Sequence, residues 1–288
     1  MIGSMKVSGG GGAVVVINGV KYKEDLNLTS HGDEELSTIP YDFYYNKAIV
    51  LNGEIHILGG PSDSRAKHYK YDGMSWTSVS TLPYSFYDGA VVVLNNEIHI
   101  LGGTENYTKH YKYNGSTWTS VSTLPYDFHY GSAVVLNNEI HIFGGYGGQV
   151  KNHYKYDGTN WTSVLTLPYS FYFGSAVVLN NEMHLLGGNY TEHYKYNGST
   201  WTLASTLPYD FYKGSAVVLN NEIRILGCYA NNTKHYKYDG LSWTSVSTLP
   251  YEFYDGSAVV LNDEIHILSG RYSLDRHYLI KPTIYMEV

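Results

Sequence analysis

Three features of this sequence predict an all-β protein closed into a ring of six four-stranded sheets: one segment recurs six times between Asp33 and Tyr278, each copy reads as four short antiparallel strands, and helical periodicity is missing from the copies. The repeat is exact enough to measure. The proline of the Leu-Pro-Tyr or Ile-Pro-Tyr step stands at Pro40, Pro83, Pro125, Pro168, Pro208 and Pro250, at intervals of 43, 42, 43, 40 and 42. The Glu that opens the Glu-Ile-His-Ile run stands at Glu54, Glu97, Glu139, Glu182, Glu222 and Glu264, at the same intervals. A unit of this length cannot bury its apolar face alone, so neighbouring copies must stack.

The copy from Tyr126 to Pro168 shows why each unit is four strands. Ser132 to Leu136 is a short apolar run, stopped by Asn137-Asn138 and followed at once by Glu139 to Phe143, which reads as a hairpin with a tight Asn turn. Gly144-Gly145 ends the second strand, and His153 to Tyr156 alternates like a half-buried third. Asp157-Gly158 forms a second turn, and Trp161 to Thr166 makes the fourth strand before Leu167-Pro168. Four antiparallel strands per copy make a β-propeller blade. The tryptophans Trp76, Trp118, Trp161, Trp201 and Trp243 share one position and are expected to pack blade against blade.

Six copies predict six blades. Asp33 to Ile39 resembles a fourth strand and Arg276 to Ile280 a third, so the N-terminal strand is expected to complete the last blade and remove the exposed sheet edge. Residues 1–32 form a Gly-rich extension holding a hairpin, Ala13 to Ile17 and Val20 to Lys23, around Asn18-Gly19. This hairpin reads either as a reduced seventh blade or as an accessory element for docking or self-association. The propeller then spans 33–280. The tail, 281–288, either adds a strand beside the hairpin or supplies the last fourth strand.

Composition narrows the function. Acidic residues number 26 against 19 basic, a net charge of -7, which gives no footprint for nucleic acid. Cys228 is the only cysteine, so packing alone must hold the fold. No apolar stretch approaches the roughly 18 residues of a membrane span, and no secretory signal is visible, so a soluble protein without membrane insertion is expected.

An apolar strand ending in a Gly pair (Gly59-Gly60, Gly102-Gly103, Gly144-Gly145, Gly187-Gly188), then a Tyr-rich strand, then a Trp at fixed distance, resembles the kelch repeat over about 85% of the chain. Two copies depart from it, with Gly227-Cys228 and Ser269-Gly270 in place of the pair. The chain also carries Tyr-x-Phe where the family often has Arg after the proline step. The resemblance implies a propeller whose loops bind a ligand, as in kelch-like repeats of bacterial and phage surface or tail proteins. It also admits a protein scaffold, or a carbohydrate-active isomerase of the sialic-acid mutarotase kind.

Strand alternation places the two hairpin turns on one face, which is uniform, and the second-to-third and fourth-to-first connections on the other, which varies. Binding residues collect on varied loops of a rigid scaffold. The fourth-to-first segments, Tyr-x-Phe-(Tyr/His)-x-Gly, end on Tyr45, Asp88, Tyr130, Phe173, Lys213 and Asp255, with His129 beside Tyr130. The varied loops add Tyr107, Tyr146, Tyr190, Tyr229 and Arg271. Rings with polar tips among carboxylates and cations suit a glycan, with a protein ligand as the alternative. These residues are the ligand-binding candidates, in a non-catalytic module without cofactor.

The chemistry sought elsewhere is too regular to form a site. Eleven of the 13 histidines fall on two repeated strand positions, spread around a ring where they cannot converge on one metal ion; His31 and His129 are the exceptions. The repeated glutamates follow the same rule, which leaves Asp42, Asp127, Asp210 and Glu252 as the carboxylates near the variable face. The Asp-Gly-x-Ser-Trp steps are similar to a sialidase Asp box but lack its spacing. Cys228, which a copper-radical site would need beside a tyrosine and two histidines, instead replaces a structural glycine.

Overall fold

The computed structural model describes residues 34–188 and 190–281, together with the backbone of 14–17, 20–24 and 285–287. Six four-stranded antiparallel sheets stand in a ring: a six-bladed β-propeller. Blade 1 comprises Lys47–Leu51, Glu54–Leu58, His68–Tyr71 and Trp76–Ser78, from the centre outward. Blades 2 to 6 begin with the innermost strands Ala90–Leu94, Ser132–Leu136, Ser175–Leu179, Ser215–Leu219 and Ser257–Leu261. Blade 6 takes its fourth strand from the other end of the propeller: Glu34–Glu35 pairs with His277–Ile280, and Leu36 N–H continues the ladder to His277 O at 2.8 Å. Ring closure by the N-terminal strand is thus as expected, although the strand is two residues long.

Val14–Ile17, Val20–Glu24 and Tyr285–Glu287 form a separate three-stranded antiparallel sheet. The C-terminal strand therefore joins the hairpin rather than completing blade 6, and the hairpin is not one of the six blades. The expected Asn18-Gly19 turn and the Gly9 to Gly12 run lie outside the described residues.

Fourth strands are shorter than the sequence suggested, Trp161–Ser163 rather than Trp161 to Thr166, except in blade 4, where Trp201–Phe211 is a single strand. In the other blades regular pairing ends within three residues, but the segment goes on bonding the chain of the third strand and the loop before it, as Val121 N–H to His110 O, Leu124 N–H to Thr108 O and Phe128 N–H to Tyr107 O do at 2.9 Å.

The cores lie between blades, not within them. One such core joins Leu51 and Leu58 of blade 1 to Phe86, Ile98 and Tyr113 of blade 2. The Phe of every Tyr-x-Phe step is fully buried, and its carbonyl explains the Gly pair. A side chain at Gly102, which has φ +61°, would place its first carbon 2.1 Å from Phe128 O, and Gly103 N–H bonds the same oxygen at 2.9 Å. The first glycine is therefore excluded volume at the blade seam. In blade 5 Cys228 fills the second position, buried, with its Sγ accepting from Asn231 N–H at 3.2 Å. In blade 6 Ser269 takes the left-handed conformation itself, at φ 57°, and its hydroxyl donates to Ser273 O.

Each Trp closes a seam as expected. Trp118 lies against Tyr113 of its own blade at 5.0 Å and His68 of the preceding blade at 5.7 Å, and the other four repeat this contact. The repeated polar residues pair locally. Lys70–Glu54, Lys112–Glu97, Lys155–Glu139, Lys195–Glu182 and Lys237–Glu222 bond across second and third strands at 2.8–2.9 Å. The Asp or Asn of each outer turn accepts two backbone N–H groups, as Asp72 does from Met74 and Ser75.

The histidines also pair. His56–His68, His99–His110, His141–His153, His184–His193 and His266–His277 hydrogen-bond at 2.8–2.9 Å, buried between strands, and Arg224 replaces the partner of His235 in blade 5. Burial lowers the inner member of each pair to about 4 and the outer member, like His235, to about 3. Unfolded histidine takes up its proton near pH 6.5. The unfolded chain thus binds more protons than the native one below that pH, and stability falls as pH drops toward 4. Each such group contributes about 1.4 kcal/mol per pH unit, so together they exhaust the ~5–15 kcal/mol of a typical domain within one or two units. Cooperative unfolding is expected between about pH 6 and pH 4; retention of the native circular dichroism spectrum at pH 4 would contradict it.

Candidate functional site

The six residues that end the fourth-to-first segments meet at one mouth of the central channel. Tyr45, Asp88, Tyr130, Phe173, Lys213 and Asp255 all have φ between 55° and 61°, the left-handed region that non-glycine residues avoid. The reason is a closed circle of inter-blade hydrogen bonds. Each residue donates its N–H to the carbonyl of its counterpart in the preceding blade, from Tyr45 N to Asp255 O at 2.8 Å around to Asp255 N to Lys213 O at 2.9 Å. Only the left-handed conformation turns each N–H sideways into the circle. With the backbone committed to the ring, the side chains are free to differ.

These side chains form one polar cluster among aromatic walls. Lys213 Nζ bonds Asp255 at 3.1 Å and lies 4.8 Å from the Tyr45 ring centre and 5.0 Å from that of Phe173. Asp88 is 8% exposed; the Tyr130 hydroxyl reaches its carboxyl, while Oδ2 has no hydrogen-bond partner among the described residues. Burial pushes Asp88 up to about 7 and raises Asp255 as well, with Lys47 and Lys213 pulling the other way. Beneath the circle these groups, with Asn46, line a chamber of about 50 Å³.

Outside the circle the rings are continuous. Tyr107, His129 and Tyr130 follow one another at 4.8 and 4.9 Å between ring centres, Tyr130 and Phe173 at 4.1 Å, and Phe173 and Tyr212 at 5.0 Å. Tyr229 joins Tyr212 to Tyr254 at 6.4 and 5.5 Å, and Tyr146 meets Tyr130 at 6.1 Å. Arg271 stands over Tyr45 at 5.8 Å. Tyr146 and Tyr229 are more than half exposed at this rim. Eleven of the twelve candidates thus gather at the mouth. Tyr190 does not: it opens the third strand of blade 4, opposite Phe211, and touches Tyr169 at 6.4 Å.

The carboxylates singled out near this face do not converge. Asp42, Asp127, Asp210 and Glu252 are each exposed, and the carboxylates that do come together are Asp88 and Asp255. Sequence reasoning missed Lys47 and Asn46. Lys47 stands where the other blades have Ala90, Ser132, Ser175, Ser215 and Ser257, and Asn46 where they have glycine. Breakage of an otherwise uniform position, the rule applied to the neighbouring residue, would have found both. Among the described residues no group of three or more His, Cys, Asp or Glu side chains is placed to hold a metal ion, and no helix is long and apolar enough to cross a membrane. His31 lies outside the described residues.

Comparison with known proteins gives architecture. A structure titled "Structure of YjhT" aligns with a TM-score of 0.74 over 87% of this chain and 99% of that chain, at 14% sequence identity. The likeness is one of fold. No protein-family model matches the chain, and no curated protein matches it in sequence.

Removing Lys213 would leave the Asp255 carboxylate, whose side chain is 5% exposed, without its partner. Lys213→Ala is expected to cost about 3 kcal/mol in urea denaturation, whereas the double change Lys213→Met with Asp255→Leu should cost about 1 kcal/mol or less. Equal losses in the two variants would refute a coupled pair.

Proposed function

We propose that this protein is a non-catalytic, kelch-type recognition propeller whose variable-loop face binds a glycan. The observation that carries the reading is the unbroken arc of Tyr, His and Phe rings around the mouth, with Tyr146 and Tyr229 exposed at its rim. Aromatic faces cover the apolar C–H faces of a sugar, and phenolic hydroxyls, with Arg271 and Lys213 beside them, answer its oxygens. The kelch assignment rests on the Gly pairs, the Tyr-rich third strands and the seam tryptophans.

A second reading, a carbohydrate-active isomerase, draws on Asp88, held near neutrality beside Lys47 and Lys213. Volume favours binding over turnover. The chamber that holds Asp88 measures about 50 Å³, enough for one or two waters at ~30 Å³ each and too little for a sugar ring. A ligand on the aromatic arc therefore meets rings and hydroxyls at the rim, with the buried carboxylates of Asp88 and Asp255 among the same cluster of side chains.

A glycan array tests the proposal. The wild-type chain should select a defined set of sugars, and Tyr146→Ala and Tyr229→Ala should each weaken that signal about tenfold or more. Absence of any sugar signal, or a signal indifferent to both changes, would end the glycan reading. Turnover of a bound sugar that is lost in Asp88→Asn would support the isomerase instead.

A further inference from the structure

The central channel below the mouth has its own chemistry, which the aromatic face does not use. It measures about 480 Å³, within the range of small-molecule sites, and is walled by the six innermost strands. Its lining runs from Lys47 and Ser257 at the end nearest the mouth to Val50, Val93, Val135 and their counterparts beside the Asn turns. Lys47 is the one charged residue among those that line it. It belongs to none of the ion pairs found among the described residues.

Serines stand at the Lys47 position in four other blades, Ser257 in the blade next to it. Ser132, Ser215 and Ser257 accept the N–H groups of Ala176, Ala258 and Ala48 at 3.0–3.1 Å, stitching adjacent blades together. Their oxygens are thus engaged as acceptors, while their O–H groups have no acceptor among the described residues; Ser175 differs, donating to Gly214 O. An ammonium at one end of an otherwise uncharged, largely Val- and Ala-lined channel, with the Ser257 hydroxyl in the adjoining blade, asks for an anion with an apolar body. On the chamber side Lys47 faces Asp88, Asp255 and Lys213. The last two bond each other at 3.1 Å; burial raises Asp88 and lowers Lys47, and the Asp88 and Asp255 carboxylates favour the Lys47 ammonium against that burial.

We infer that the channel is a second ligand site, independent of the aromatic face, that takes a small organic carboxylate with its carboxylate on Lys47 and its apolar body along the channel valines. Butyrate and benzoate serve as probes, with butyramide and benzamide as neutral counterparts, followed by isothermal titration and by methyl NMR of the full chain. The carboxylates should bind saturably below about 10 mM, the amides about tenfold or more weaker, and the shifted methyls should be those of Ala48, Val134 and Val217. Lys47→Ser, which installs the residue that four other blades carry at this position and so preserves the fold, should weaken carboxylate binding about tenfold or more. The inference is overturned if neither carboxylate binds at ~10 mM, if the amides or Lys47→Ser bind as well, or if the shifts fall at the mouth.

Discussion

The circle of six inter-blade hydrogen bonds at the mouth is the constraint on which the site depends. It forces six residues into a left-handed backbone that costs about 1 kcal/mol or more apiece for anything but glycine. In five of the six blades a glycine follows immediately, yet the strained position itself carries Tyr, Asp, Tyr, Phe, Lys and Asp. Packing does not select these side chains, because the backbone makes the contact. The same geometry that closes the ring therefore gathers six unlike side chains at one opening.

Elsewhere the repeat spends its polar groups on itself. Each Lys finds its Glu across two strands, paired histidines find each other, and the Asp or Asn of each outer turn binds its own loop. Such groups recur because every blade has the same orphaned donors and acceptors to satisfy. Function has room only where the repeat is broken, and the breaks are concentrated at the mouth and at Lys47. At the mouth rings and charges share one opening, Lys213 lying 4.8 Å from the Tyr45 ring centre and 3.1 Å from Asp255, whereas Lys47 is the one charged residue lining the channel. The two cavities also differ in size, about 50 Å³ beside Asp88 and about 480 Å³ in the channel.

Much of this was legible in the sequence because a six-fold repeat turns local patterns into global ones. The Asn turns, the Glu-Ile-His-Ile runs and the seam tryptophans specified strands, register and the six-blade count. The candidates at the fourth-to-first positions converged because equivalent positions in a propeller share a radius. Tyr190 did not join them, since a loop residue in one copy became strand in the long ladder of blade 4. Lys47 is harder to see in the sequence, because it falls inside a strand where the other copies carry Ser or Ala. The pairing of Asp88 with the surroundings of Asp255 needed distances that no spacing along the chain supplies. The Gly pair marks the end of the second strand in the sequence, but its cause, the carbonyl of the Phe that follows in the next copy, lies far along the chain.

The most direct test of this account is amide hydrogen exchange at Tyr45, Asp88, Tyr130, Phe173, Lys213 and Asp255 in the intact chain. If the circle holds the mouth, all six amides exchange slowly and together, with protection matching that of the innermost strands. Exchange at the rate of exposed turns, while the strand amides stay protected, would contradict it, for the mouth would then be six separate loops without a common frame.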